Sequence, residues 1–245
     1  PFAIYFQDSM AKKLEKGAGI TAVAAIVENN TSGIISARDA DILSPKDLVG
    51  KKYGTWNDPI ELAMLETLVS DEGGDFAKVE KVPNTDANSI TPIANQVFDA
   101  AWIYYGWDGI MAEKEKMETN FFYLTDFAPA FNYYSPVIIA NNDYLKENPE
   151  EAKKVLRAIK KGYQYAIEHP EESAEILIKH APALEGQKDF VLASQIYLSE
   201  HYASDPDKWG EFDADRWNAF YAWAHEKGIL ESDLKDQGFS NDYLD

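Results

Sequence analysis

Two features predict an α/β protein with a helical C-terminal part. Short apolar runs alternate with capped helical segments as far as Ala140, and from Asn142 onward only helical periodicity is left. The regular alternation of the first part predicts mostly parallel strands.

The elements follow in order. Phe2 to Phe6 is a short apolar strand, and Asp8 or Ser9 is placed to cap a helix running to about Lys16, where Gly17 and Gly19 stop it. Ile20 to Val27 is apolar on both faces, as in a buried strand, and Ser32 to Ser36 is another short one. Ser44-Pro45-Lys46-Asp47 is a single capped turn, and Lys51 to Thr55 is a strand. Asp58-Pro59-Ile60-Glu61 has a cap, a proline at the first helical position and a glutamate three residues after the cap, which opens a strong helix to about Ser70. Val79 to Val82, Val97 to Ile103 and Phe121 to Leu124 read as strands, Ile90 to Asn95 and Trp107 to Glu118 as helices, and Tyr133 to Ala140 as an extended segment. Four helices complete the chain: one from Asn148-Pro149 with an apolar face through Ala152, Leu156, Ile159 and Tyr163, then Pro170 to His180, Lys188 to Tyr202 and Asp213 to Lys227.

Composition excludes several classes of function. The chain has 245 residues, with 23 Lys+Arg against 42 Asp+Glu and a formal charge of −19. Such a surface repels nucleic-acid phosphates and anionic lipid. There is no cysteine, hence no disulfide, thiolate nucleophile or thiolate metal site. The four histidines lack zinc-type spacing on one face, and neither a glycine-rich phosphate loop nor a nucleophile elbow occurs. No catalytic residue, metal or cofactor is expected.

Ligands of open α/β sheets bind beyond the carboxyl ends of strands, and three segments there are unusual. In the first, Gly54 and Thr55 let the backbone approach a ligand, and Trp56 sits at a strand-to-helix turn, where it serves equally well as a lid on its own core. The second is Tyr104-Tyr105-Gly106-Trp107-Asp108, four groups able to stack or hydrogen-bond after a buried strand, though Asp108 in a first helical turn also suits the helix dipole. The third is Tyr133-Tyr134-Ser135-Pro136, where the α/β part gives way to a crossing strand. The helix starts carry Asp58, Glu61 and Asp108 rather than the Arg, Ser or Thr of an oxyanion receptor. An acidic acceptor among aromatics suits a ligand with N–H donors, such as an aminopyrimidine.

Several stretches resemble the NMT1/THI5-like family: Tyr5 to Asp8, Asn30 to Gly33, Gly50 to Trp56, Ala101 to Asp108 and Tyr133 to Ile138. The Tyr-Gly-Trp-acidic motif is the most specific of them, and the similarity is strongest to the ThiY-type receptors of thiamine-pyrimidine-precursor importers. The resemblance implies a type II periplasmic-binding-protein fold, two α/β lobes joined by crossing strands. Residues 1–45 would form a partial first lobe, 46–133 the second lobe, and 134–245 the hinge return and helical remainder of the first. It implies a non-catalytic, extracytoplasmic solute-binding protein, periplasmic or lipid-anchored at the cell surface, that delivers an aminopyrimidine to an ABC permease. Pyrimidine contacts would fall on Tyr104 and Asp108, the latter a glutamate in the receptors resembled. The same fold also hosts receptors for riboflavin or sulfonates. A synthase branch depends on a cysteine-rich motif and a histidine that this chain lacks in the matching region.

The chain is further expected to start inside the first lobe, after a strand-helix-strand-helix stretch that carries a ligand loop. That leaves Gln7 as one of few polar groups on its side of the cleft. The strand at Phe2 to Phe6, read as parallel and normally paired on both edges, would find relief in a dimer or strand-swapped assembly.

Overall fold

A computed structural model describes residues 1–86 and 88–244. The chain divides into two compact units, one made of residues 1–30 and 130–245, the other of 31–129.

The first unit is built on a small sheet ordered β1-β8-β2, with β1 at Phe2–Tyr5, β2 at Ile20–Ala25 and β8 at Val137–Asn141. Both outer strands run antiparallel to β8, so the parallel pairing expected of the first strand is not found. β1 is an edge strand with Ile4 65% exposed. The helix α1 (Gln7–Glu15) begins after Phe6 with no side-chain cap; Asp8 instead accepts the N–H of its neighbour Ser9.

The helical remainder comprises α5 (Asn142–Glu147), α6 (Pro149–Glu168), α7 (Pro170–His180), α8 (Lys188–Tyr202) and α9 (Ala214–Glu226). The apolar stripe of α6 buries Ala152 and Leu156 against Val23, Ile138 and Trp209. Trp209 is stacked on Tyr163 at 4.4 Å and donates its indole N–H to the Ile26 carbonyl, so a large ring is buried without an orphaned donor. Asn148 does not cap α6 through its side chain; its amide nitrogen donates backwards to the Tyr144 carbonyl at 3.3 Å, closing α5.

The second unit holds a sheet ordered β5-β4-β6-β3-β7. Its strands are β3 (Ser32–Ala37), β4 (Lys52–Thr55), β5 (Glu80–Pro83), β6 (Ala100–Tyr104) and β7 (Thr119–Tyr123). β4 is parallel to β5 and to β6, whereas β3 is antiparallel to both β6 and β7. The sheet is therefore mixed, and "mostly parallel" describes only its β5-β4-β6 half. Alternation in these short strands shows that both faces are covered, and not which way a neighbour runs. The pairing of β3 with β6 and β7 also places residues 31–45 with the second unit rather than the first, because their backbone hydrogen bonds are made there.

Helices α2 (Pro59–Asp71), α3 (Ile90–Ala94) and α4 (Ile110–Lys114) pack on this sheet. The helix expected from Trp107 starts later and ends earlier, since Tyr105–Gly109 forms a wide π-type turn first.

Within the first unit the two segments leading to the second are tied together. The Asn30 side-chain amide donates to the Phe131 carbonyl at 2.8 Å, and that of Asn132 donates to the Asn29 side-chain oxygen at 2.9 Å. Arg216 of α9 holds both. Its Nε donates to the Asn132 carbonyl, its remaining nitrogens to Asn29 and to the Glu28 carbonyl, and its plane lies 3.9 Å from the Tyr134 ring centre. Arg216→Lys, which keeps the charge but loses the planar fork, is expected to destabilise the chain by about 1.5–3 kcal/mol in urea unfolding. Equal stability would show that the fork is dispensable.

Candidate functional site

The carboxyl ends of β5, β4 and β6 meet at one edge of the second unit, because these three strands are parallel. Each leads into a turn and then a helix: β4 through Trp56 to α2, β5 through Asn84 to α3, and β6 through Trp107 to α4. The turns are bonded to one another and to the residue that precedes β3. Asn84 donates its backbone N–H to the Thr55 carbonyl at 2.8 Å and its amide to the Ser89 hydroxyl at 3.1 Å, and the Tyr105 N–H donates to the Thr31 carbonyl.

The β4–α2 turn is organised by Glu61, which is only 3% exposed. Its carboxylate accepts from the Tyr53 hydroxyl at 3.0 Å, the Thr55 hydroxyl at 2.9 Å and the Trp56 N–H at 3.1 Å. It also closes the capping box with Asp58, whose side chain accepts from the Ile60 and Glu61 N–H groups. Burial pushes the Glu61 carboxyl above its ordinary range, against the opposing pull of these donors. The arrangement fixes where Trp56 stands, 50% exposed, with its ring 5.8 Å from that of Trp102 on β6.

Gly54 and Thr55, read in the sequence as letting the backbone approach a ligand, serve this turn and are both buried. The Thr55 hydroxyl donates to Glu61 and accepts from the Asn57 N–H. A Cβ on Gly54 would stand 2.6 Å from the Phe98 ring, which explains the glycine by packing alone. Gly54→Ala is therefore expected to lower stability by about 1–3 kcal/mol in chemical denaturation; a neutral effect would mean that Phe98 moves freely aside.

The β6–α4 turn carries the acid and the aromatics foreseen. Tyr104 is half-buried, Trp107 is 42% exposed and Asp108 is half-buried. The Asp108 carboxylate accepts the Ser89 backbone N–H, while its Oδ1 is buried without a partner among the described residues. Desolvation is the larger effect and lifts its pKa from 3.8 to about 6. Helix-dipole stabilisation, the alternative for Asp108, would have lowered it.

Gln7 and Tyr134 are brought together, but in the first unit and as scaffold. The Gln7 amide donates to the Trp217 carbonyl at 2.9 Å and accepts the Tyr134 N–H at 2.7 Å, leaving the residue fully buried. The Tyr134 hydroxyl accepts the Asp213 N–H at 2.8 Å. Also in this unit is a hollow of about 730 Å³ whose wall combines Glu28, Asp205 and Asp213 with Lys208 and Arg216. Its best-placed charges are already engaged, Glu28 by Ser204 and Arg216 by the connecting segments.

Residues 1–173 match the NMT1/THI5-like family. The chain belongs to that family. It is 23% identical to the formylaminopyrimidine-binding protein of Halalkalibacterium halodurans over 94% of this chain and 70% of that one. It is also 25% identical to the 4-amino-5-hydroxymethyl-2-methylpyrimidine phosphate synthase of Legionella pneumophila, over 69% of this chain and 53% of that one. In fold it is similar to the periplasmic sulfonate-binding protein of a putative sulfonate ABC transporter from Methylobacillus flagellatus, with a TM-score of 0.65 at 20% identity, covering 99% of this chain and 73% of that one. The α/β periplasmic-binding-protein class read from sequence is thus the observed one.

Sequence reasoning missed Glu61 and Trp102 as site groups. Glu61 is visible in the sequence as a capping residue, but its reach back to Tyr53 and Thr55 is a tertiary fact. Trp102 reads as one more apolar strand position.

The raised pKa of Asp108 sets a pH dependence. The carboxyl favours the proton more in the folded chain, so its contribution to stability is fully present below pH 3.8 and is lost as pH rises through about 6. Asp108→Asn removes that loss. Allowing for the group's partial exposure, the variant is expected to match wild type near pH 4 and to exceed it at pH 7.5 by ~1–2 kcal/mol. A less stable Asn variant at pH 7.5 would show that the carboxylate supports the fold.

Proposed function

We propose that this chain is the extracytoplasmic solute-binding component of an ABC importer, and that it captures a planar aminopyrimidine at the strand-end edge of its second unit and delivers it to the permease. The observation that carries the ligand class is Asp108, a carboxylate with a buried oxygen that has no partner among the described residues, in a turn flanked by exposed or half-exposed aromatic rings. Such an acceptor is completed by an exocyclic amine N–H, and Trp56, Tyr104 and Trp107 supply surfaces on which a flat ring stacks. This chemistry agrees with that of the Halalkalibacterium relative, a formylaminopyrimidine-binding protein.

A sulfonate is the second reading, supported by the fold similarity. The site argues against it: the Asp58 side chain already takes the first donors of α2, and the unpartnered oxygen of Asp108 repels an anion. Riboflavin offers a flat ring with N–H and remains the organic-solute alternative. An enzyme of the synthase kind is disfavoured by the lack of any cysteine to serve it. Self-association through the exposed edge of β1 is a separate proposal, and light scattering on the purified chain decides it: a monomer at all concentrations removes it.

Calorimetry with an aminopyrimidine, riboflavin and taurine is expected to show binding of the first alone, with no product formed on incubation. Asp108→Asn is expected to weaken that binding about tenfold or more, since a charge-assisted hydrogen bond contributes ~1.5–3 kcal/mol. Tight riboflavin or taurine binding without pyrimidine binding, or turnover at a catalytic rate, overturns the proposal.

A further inference from the structure

Besides Asp108 Oδ1, the indole nitrogen of Trp102 is buried without a hydrogen-bond partner among the described residues. Trp102 is 5% exposed, in the strand that leads directly into the turn bearing Asp108. Buried indole N–H groups are normally paired, and the other deeply buried tryptophans here follow the rule: Trp209 donates to the Ile26 carbonyl and Trp217 to the Gln237 carbonyl. An orphaned donor and an orphaned acceptor on one strand and its following turn therefore call for an explanation.

Side-chain alternation along β6 places Trp102 on the same face as Tyr104. Ala101 and Ile103 point the other way, into the core formed with Ile90, Ile93 and Ala112. The Trp102 ring neighbours that of Trp56, the half-exposed residue at the strand-end edge, at 5.8 Å and a tilt of 42°. The ring that carries the orphaned donor is therefore next to a ring that is itself half in solvent. An indole N–H donates only, and an ionised carboxylate accepts only.

We infer that Trp102 is a specificity-determining residue whose indole N–H, uncovered as the Trp56 ring turns aside, donates to an acceptor on the same ligand whose amine is held by Asp108. This inference rests on the proposed aminopyrimidine site and narrows its ligand class. The ligand must carry an N–H donor and an in-plane acceptor on one flat ring, as a 4-aminopyrimidine does with its amine and ring nitrogen. A sulfonate offers acceptors alone, and an aromatic amine without ring nitrogens offers a donor alone. Each leaves one buried group of the protein unpaired, which is how hydrogen-bonding sites reject near-isosteres.

The test uses the full chain labelled with nitrogen-15, with 4-amino-5-hydroxymethyl-2-methylpyrimidine as probe and, for comparison, the analogue in which both ring nitrogens are replaced by C–H. The Trp102 indole N–H resonance is expected to move downfield and to gain protection from solvent exchange on saturation with the pyrimidine. Trp102→Phe is expected to lower pyrimidine affinity about tenfold while leaving the weaker analogue unaffected, so that the variant no longer tells the two apart. The resonance needs no substitution, so the test stands even if Trp102→Phe folds poorly. A pyrimidine that binds while the Trp102 resonance stays in place overturns the inference and leaves the proposed function standing. Failure of the pyrimidine to bind wild type overturns the proposed function and this inference with it.

Discussion

The guanidinium of Arg216 is the constraint on which the organisation of this chain depends. The backbone leaves the first unit after Asn30 and returns at Ala130, so two separate segments have to be anchored to one body. A single planar cation reaches three acceptors on those segments, and its face is covered by the Tyr134 ring. Burial draws its pKa down, with Tyr134, Glu28 and Asp213 opposing that shift. Lysine offers no such fork, and the asparagine contacts between the segments would be left to hold them unaided. Tyr134 and Gln7, which look from the sequence like ligand groups, belong to the support of this clamp through the Tyr134 backbone and α9.

A second division of labour runs through the β4–α2 turn. One buried carboxylate, Glu61, gathers two hydroxyls and two backbone N–H groups, and what emerges from that arrangement is an exposed tryptophan. The polar residues of this turn are bonded to one another, and the aromatic beside them is left facing solvent. In another turn the roles reverse: Asp108 keeps one oxygen without a partner among the described residues. A carboxylate left short of donors is a local cost that tends to be retained where function requires it.

Much of the architecture was legible in the sequence, for identifiable reasons. Helix starts marked by proline, such as Asp58-Pro59 and His169-Pro170, gave their element boundaries to within a residue or two, because cap and proline chemistry is local. Strand direction was not legible, since β3 and β6 have the same kind of apolar pattern whether parallel or antiparallel. The first unit boundary was misplaced for the same reason: only the pairing of β3 shows which sheet owns it. In the candidate site, the motif around Tyr104 and Asp108 stood out because polar groups crowd the end of a buried strand. Trp102 did not, because its orphaned N–H exists only once its neighbours are in place.

The Asn30 N–H donates to the side chain of Asn132 at 2.9 Å. Entry and exit of the residue 31–129 segment are therefore adjacent on the first unit, as in a domain inserted into the loop of a host. A layout of this kind makes the inserted segment a cassette. It can lengthen, shorten or be exchanged for a homologous one without altering the register of the host sheet, because the host needs only that the two ends arrive side by side. Variation within such a lineage then has a direct route: replace the insert and keep the clamp.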